Sequence, residues 1–261
     1  RPSTYAEKMD KSSVKHIASC SFGKDSLATV LLCLEHGEPL DEVIYCEVMF
    51  DQNISGEVPE HRDFIYKYAI PFLEENGIKV VILRSDITFI QSFYSVCKRG
   101  KHAGQIRSWP LCGKCCIQRD CKLAPVKAYM KSLACNVVQY IGYAYDEQER
   151  LMRLERGKKV SLLEKYRLTE QNAMELCKKA GLYSPIYQFA PRNGCFFCAN
   201  AKMRELRHLY DYHPNLWSRL LECQKASNKS TELFNRDSTI TEIDELFQAE
   251  DRQLSLFDKV A

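Results

Sequence analysis

The sequence lacks any long apolar run. No stretch approaches the roughly 20 residues that a bilayer-spanning helix needs, so no such helix is expected in this chain. It has no internal repeat and no low-complexity linker, which argues against a solenoid or a disordered tether. Neither sign of charge dominates: 37 Lys and Arg stand against 34 Asp and Glu, for a net charge of +3. That balance permits an anionic partner without demanding one. The first residues (Arg1, Pro2, Ser3, Thr4, Tyr5) contain no apolar h-region. No secretory signal is therefore expected, and a cytoplasmic location is. With 261 residues, 45% of them hydrophobic and 27% charged, the chain has the composition of a globular protein.

What is present in excess is cysteine, at 13 residues. In a reducing compartment, clustered thiols point to metal or sulfur chemistry rather than to disulfides. Cys20, Cys33, Cys46, Cys135 and Cys177 fall on apolar strand or helix faces and read as core.

Apolar patterning predicts strands at 14–20, 42–50, 78–83 and 136–143, alternating with helices over 27–36 and 61–76. The alternation predicts an α/β fold with a doubly wound parallel sheet. After residue 165 strand signals fade. Thr169 caps a helix ending near Lys179, and helices are expected over 200–211, 214–226 and 241–249. The expected organisation is a nucleotide-binding α/β domain (1–165), a helical extension (166–249) and a tail (250–261).

The first strand runs into Ser21-Phe22-Gly23-Lys24-Asp25-Ser26, which opens the first helix. A turn at a helix start offers N–H groups to a phosphate. Lys24 adds a mobile cation and Ser26 a hydroxyl. The spacing is not that of a Walker A loop. The segment resembles the SGGKDS loop of the PP-loop ATP pyrophosphatases and the PAPS reductase family, with Phe22 replacing the first Gly. Ile141 to Arg150 extends the resemblance: Gly142, Asp146, Glu147 and Arg150 match the family's later-strand segment, and Tyr143 stands where an Arg is often found. Glu57, Glu60 and His61 are loosely similar to a substrate-side loop.

The resemblance covers residues 14 to about 220 and implies an adenine nucleotide alpha-hydrolase-like fold. It implies ATP, or PAPS or APS, held by Ser21, Phe22, Gly23, Lys24, Asp25, Ser26, Met49, Asp51, Gly142, Asp146 and Glu147. Lys24, Asp25 and Arg150 are the catalytic candidates, with Asp25 or Asp51 as the carboxylate for Mg2+.

Cys112, Cys115, Cys116 and Cys121 precede Cys195-Phe196-Phe197-Cys198. An adjacent pair followed after about eighty residues by CxxC is similar to the ligand spacing of 4Fe-4S sulfonucleotide reductases. Lys122 and Pro125 follow the pair, as a basic residue and Pro do in those reductases, and Arg192 would stabilise thiolate charge. The expected ligands are Cys115, Cys116, Cys195 and Cys198, with Cys112 as the alternative fourth. Cys112-x-x-Cys115 with Cys195-x-x-Cys198 also fits a structural Zn2+. The reductases' C-terminal nucleophile setting is reduced here to Glu222-Cys223-Gln224 inside an expected helix.

Three functions follow as expectations. The first is ATP-dependent, adenylating sulfur transfer, with a nucleic acid among the acceptors. The second is sulfonucleotide reduction, and the third a nucleotide-binding module with structural zinc. Lys98, Arg99, Lys101, His102 and Arg107 form a basic run that reads as a phosphate contact or a solvated loop, and Trp109 beside it as a base-stacking or a packing residue. Gln253-Leu254-Ser255-Leu256-Phe257 resembles the bacterial sliding-clamp-binding motif. The alternatives are docking onto the protein's own core or an edge strand.

Overall fold

The computed structural model describes residues 14–110 and 115–257, with side chains to residue 253. In chain order the elements are β1 (Val14–Ser19), α1 (Lys24–His36), β2 (Glu42–Glu47), α2 (Pro59–Phe64), α3 (Ile70–Glu75), β3 (Lys79–Arg84), α4 (Phe89–Phe93), α5 (Ala124–Ser132), β4 (Asn136–Ile141), α6 (Gln148–Met152), β5 (Lys159–Val160), α7 (Leu162–Lys165), α8 (Glu170–Lys179), α9 (Met203–Tyr212), α10 (Pro214–Gln224) and α11 (Ile240–Phe257).

The five strands form one parallel sheet in the order β3-β2-β1-β4-β5. The expected α/β architecture is present. Strand β2 explains why both faces are covered: all six of its residues are buried. Val43 and Tyr45 pack into one hydrophobic cluster with α1, and Ile44 and Cys46 into another with Val126 of α5. That is the period-2 alternation of a strand between two helical layers. Glu42 and Glu47, at the two ends of β2, are buried and each is paired. Glu47 meets Arg62 and Arg84, and Glu42 meets Lys79.

Helix α1 is buried on every side from Leu27 to Cys33, as a helix between a sheet and another helix must be. It ends at Gly37, whose φ of 64° is the left-handed cap that glycine adopts without strain. Helix α8 starts on a capping box, in which Thr169 accepts from the Asn172 amide and Asn172 from the Thr169 amide. In β order the direction of winding reverses between β1 and β4, and ligands of such sheets bind where the strand ends diverge at that point.

The chain divides into two compact units that interleave in sequence. One contains residues 1–47, 59–84 and 123–185, hence the sheet. The other contains 48–58, 85–122 and 186–261. This differs from the division expected at residue 165. Residues 166–185 belong with the sheet because α8 packs along α1, where Ala173 and Cys177 enter the α1 core. Residues 48–58 and 85–122 leave the sheet to build a separate aromatic core. The second strand therefore stops at Glu47, short of the expected residue 50. Met49 and Asp51 lie in the other unit.

Cys20, Cys33, Cys46 and Cys177 are buried as expected, but Cys135 is only partly so. At the C-terminus the backbone of Gln253–Phe257 forms the last turns of α11 rather than an edge strand. The side chains of residues 254–257 lie outside the described residues. Among the described residues no helix is long and apolar enough to cross a membrane.

Candidate functional site

The sheet unit carries the phosphate-binding candidate. Strand β1 delivers Cys20 and Ser21 to the turn, and α1 begins at Lys24 behind Gly23, with no side chain capping its first amides. An uncapped helix start is an anion site in waiting. The left-handed residue of the turn is Phe22, at φ 57°, not Gly23, whose φ is −73°. A non-glycine there costs about 1–2 kcal/mol. Phe22 offsets it by burying its ring, 1% exposed, edge-on to Tyr45 at 5.3 Å. Phe22 therefore acts through backbone shape and packing.

The turn is held by its own polar atoms. The Ser26 hydroxyl donates to the Gly23 carbonyl at 3.0 Å and accepts from the Ser21 amide at 3.2 Å. The Phe22 amide donates to the Cys20 sulfur at 3.3 Å. His61, fully buried, meets the Ser21 carbonyl through Nε2 at 3.1 Å and the Ser184 hydroxyl through Nδ1 at 2.8 Å. The sequence pointed to His61 only as part of a loose loop match; its place is behind the turn.

Gly142 follows β4. A Cβ there would lie 2.6 Å from the Ser26 amide nitrogen and 2.7 Å from the Asp25 carbonyl carbon. Only glycine lets the first turn of α1 come this close to the end of β4. Beyond it, Glu147 accepts from the Ala144 amide at 3.0 Å and pairs with Arg150 at 2.5 Å. The Arg150 guanidinium lies 4.1 Å above the Tyr143 ring, so this aromatic supports a cation instead of supplying one. Asp146 accepts from the Glu170 amide at 3.1 Å and so caps the start of α8.

Lys24 stands among carboxylates, 3.0 Å from Asp25 and 2.6 Å from Glu170. Burial opposes its charge, but hydrogen bonds to Glu170 and Asp25 outweigh this and hold its pKa above the ordinary value. Asp25 is pushed up by burial, with Glu170 and Glu147 adding to the rise against Lys24. Glu170 was not found from sequence. Its only signal was a place in the first turn after the Thr169 cap, and the packing of α8 on α1 brings it to Lys24.

The other unit carries the thiol centre. Cys195-Phe196-Phe197-Cys198 is a tight turn in which the Cys198 amide donates to the Cys195 carbonyl at 3.0 Å. The two phenylalanines between the thiols anchor it: Phe197 stacks on Phe89 at 4.1 Å, and Phe196 packs on Phe50 at 5.0 Å. Glu57 bridges Cys195 through the backbone, and the Phe196 amide donates to Gly56 at 2.9 Å. Gly56 must be glycine, because a Cβ would lie 2.7 Å from the Val48 carbonyl oxygen and 2.9 Å from the Phe197 ring.

Cys115, Cys116 and Cys195 pack against this same aromatic cluster. The Cys115 sulfur accepts from the Gln118 amide at 3.4 Å, and Arg192 donates to the Cys198 sulfur at 3.5 Å. Desolvation pushes the Cys195 thiol well above its ordinary value, with Glu57, Cys198 and Cys115 adding and Lys122 opposing. Desolvation likewise raises Cys115, with Cys116 and Cys198 close enough to contribute. Cys112 lies outside the described residues.

Among the described residues no three of these sulfurs lie within 4.8 Å of one another. Thiolates on one tetrahedral zinc stand about 3.8 Å apart, given Zn–S bonds of about 2.3 Å. The described thiols are more widely spread than one ion's shell. Soft sulfur donors with Lys122 and Arg192 nearby are of the class that holds either an iron–sulfur cluster or zinc, and thiols this hard to ionise alone are deprotonated by a metal.

Three sequence candidates are engaged within the protein. Asp51 accepts from the Asn53 and Ile54 amides and pairs with Arg219 at 3.2 Å, so both its oxygens are engaged. Trp109 is not available for base stacking: it is 2% exposed, and its indole N–H donates to Gln224 at 3.2 Å. Cys223 is buried in the aromatic core, which pushes its thiol up to about 12, as does the burial of Cys177. Cys121, unassigned from sequence, is fully buried in that core.

No protein-family model and no curated protein matches the chain. Among solved structures the chain is similar to "U34-tRNA thiolase NcsA from Methanococcus maripaludis with its 4Fe-4S cluster". The identity is 19% over 90% of this chain and 81% of that one, with a TM-score of 0.42. A likeness of that size does not decide chemistry.

Proposed function

We propose that this chain is an ATP-dependent, adenylating sulfur-transfer enzyme of the PP-loop, PAPS reductase-like kind. The observation that carries the reading is the uncapped start of α1 at the sheet's switch point, with Lys24 and Ser26 in its first turn and Gly142 packed against it. Amides of the α1 start, with Ser21, Gly23 and Ser26, cradle the phosphates. Lys24 exchanges its carboxylate partners for phosphate oxygens, and Asp25, with Glu147 and Glu170 nearby, takes Mg2+. Arg150 stabilises charge on the departing pyrophosphate.

In the first step an acceptor carbonyl oxygen attacks the α-phosphorus and pyrophosphate leaves. In the second a hydrosulfide-level donor adds to the activated carbon, and AMP leaves with the oxygen. No redox equivalent is needed. Cys115, Cys116, Cys195 and Cys198 are the residues that would hold a 4Fe-4S cluster, which when bound would supply a soft site for sulfur.

The sulfonucleotide-reductase reading needs a thiolate at Cys223, and burial opposes one. The zinc-module reading includes Cys112, which lies outside the described residues. The test is pyrophosphate release from ATP and Mg2+ in the presence of acceptor and sulfide. Wild type is expected to bind ATP and release pyrophosphate, and Lys24→Ala to lose both by at least tenfold. No ATP binding by wild type refutes the proposal.

A further inference from the structure

Residues 87–119 contain six Lys or Arg (Lys98, Arg99, Lys101, Arg107, Lys114, Arg119) and no Asp or Glu. That segment is +6 where the whole chain is +3, so the remainder is net −3 (3 − 6). The structure turns part of this run into a defined object. Val96 pairs with Ile106 in an antiparallel bridge. The Cys97 amide donates to Gln105 at 2.8 Å, and the Gly104 amide to Cys97 at 2.9 Å. The tip turns on Gly100 and Gly104, at φ 80° and 86°, which bulkier residues adopt only with strain.

The hairpin is also clamped at its base. The Ile106 amide donates to the Asn228 carbonyl at 2.9 Å, and the Asn228 side chain donates to Gly104 at 3.0 Å. Arg107 belongs to this base and is paired with Asp120 at 3.7 Å. Lys98, Arg99 and Lys101, at the tip, are all exposed. None is paired with a carboxylate among the described residues, whereas Arg107, Arg119 and Lys229 all are. Tyr94 stands beside the hairpin with 46% of its surface exposed.

We propose that the hairpin 96–106 is a finger that binds the phosphodiester backbone of a nucleic acid, with Lys98, Arg99 and Lys101 as its phosphate contacts and Tyr94 as a stacking platform. A clamped turn holds its cations out before binding, so little conformational freedom is lost when phosphates dock. Three unpaired cations with no acid within the surrounding segment make a local field that favours a polyanion. The finger deepens the sulfur-transfer reading by naming the acceptor's class, but its binding does not depend on ATP chemistry.

The test is fluorescence anisotropy with labelled single-stranded RNA, an RNA stem-loop, single-stranded DNA and duplex DNA, from 50 to 200 mM salt. Wild type is expected to bind at least one of them. Replacing Lys98, Arg99 and Lys101 together with Gln is expected to flatten the slope of log K against log salt by about 2, and to weaken binding roughly 100-fold at 0.1 M salt, at about 0.7 per phosphate contact. The arms tell RNA from DNA and single strand from duplex. ATP affinity of the triple variant is expected to be unchanged, which separates failure of the finger from failure of the ATP site. Wild type that binds no probe at 50 mM salt, or a triple variant with wild-type affinity and slope, overturns the proposal.

Discussion

Replacing Gly142 with Ala strikes the point where the phosphate loop and the sheet are fitted together. The added carbon would meet the Ser26 amide nitrogen at 2.6 Å and the Asp25 carbonyl carbon and oxygen at 2.7 and 2.8 Å. All three are backbone atoms of the first turn of α1, which cannot rotate aside as a side-chain tip can. Overpacking of this kind costs about 1–3 kcal/mol. In a chain of this size that is a fall in Tm of roughly 4–8 °C for the middle of the range. The strain relaxes most readily by pushing the α1 start away from β4, the motion that displaces the Ser26 amide. ATP affinity is therefore expected to fall by about tenfold or more, equivalent to about 1.4 kcal/mol. Thermal melting and calorimetric titration with ATP and Mg2+ read both effects. A variant with wild-type Tm and ATP affinity would refute the placement of the loop.

Asp25→Asn separates stability from chemistry. Burial raises the folded pKa of Asp25, so the native state prefers the neutral carboxyl. That contribution is present in full below the unfolded value near 4 and is lost as pH rises through the raised folded value. The Asn variant is thus expected to melt higher than wild type at pH 7, no differently at pH 3.5, and to release no pyrophosphate; a lower melting temperature at pH 7 would contradict the sign. Cys223, held up to about 12 by burial, is expected to resist alkylation at pH 8 in native protein, and Cys223→Ala to keep pyrophosphate release. Rapid native labelling of Cys223 would contradict its core role.

The sheet was legible because parallel strands buried on both faces leave near-continuous apolar runs, as at Val43–Cys46. Strand β5 was not, since Lys159–Val160 offers two residues and no period. The phosphate loop was readable as a motif, but its shape was not. Phe22 takes the left-handed conformation and is held there by its own buried ring, which no motif match displays. Glu170 was invisible because it lies 146 residues from Lys24 and only the packing of α8 joins them. For Trp109 stacking and packing both stayed open, because sequence shows its basic neighbours but not the aromatic core around it. The interleaving of the two units had no local signature, because it depends on where each chain crossing packs, not on composition.

Of the proposed chemistry, the cysteine-held sulfur centre is the part most open to refutation. Anaerobic purification followed by iron, zinc and acid-labile sulfide analysis tests it directly. About four iron and four sulfide per chain are expected, lost in Cys195→Ala and kept in Cys223→Ala. Colourless protein carrying one zinc and no sulfide would contradict it.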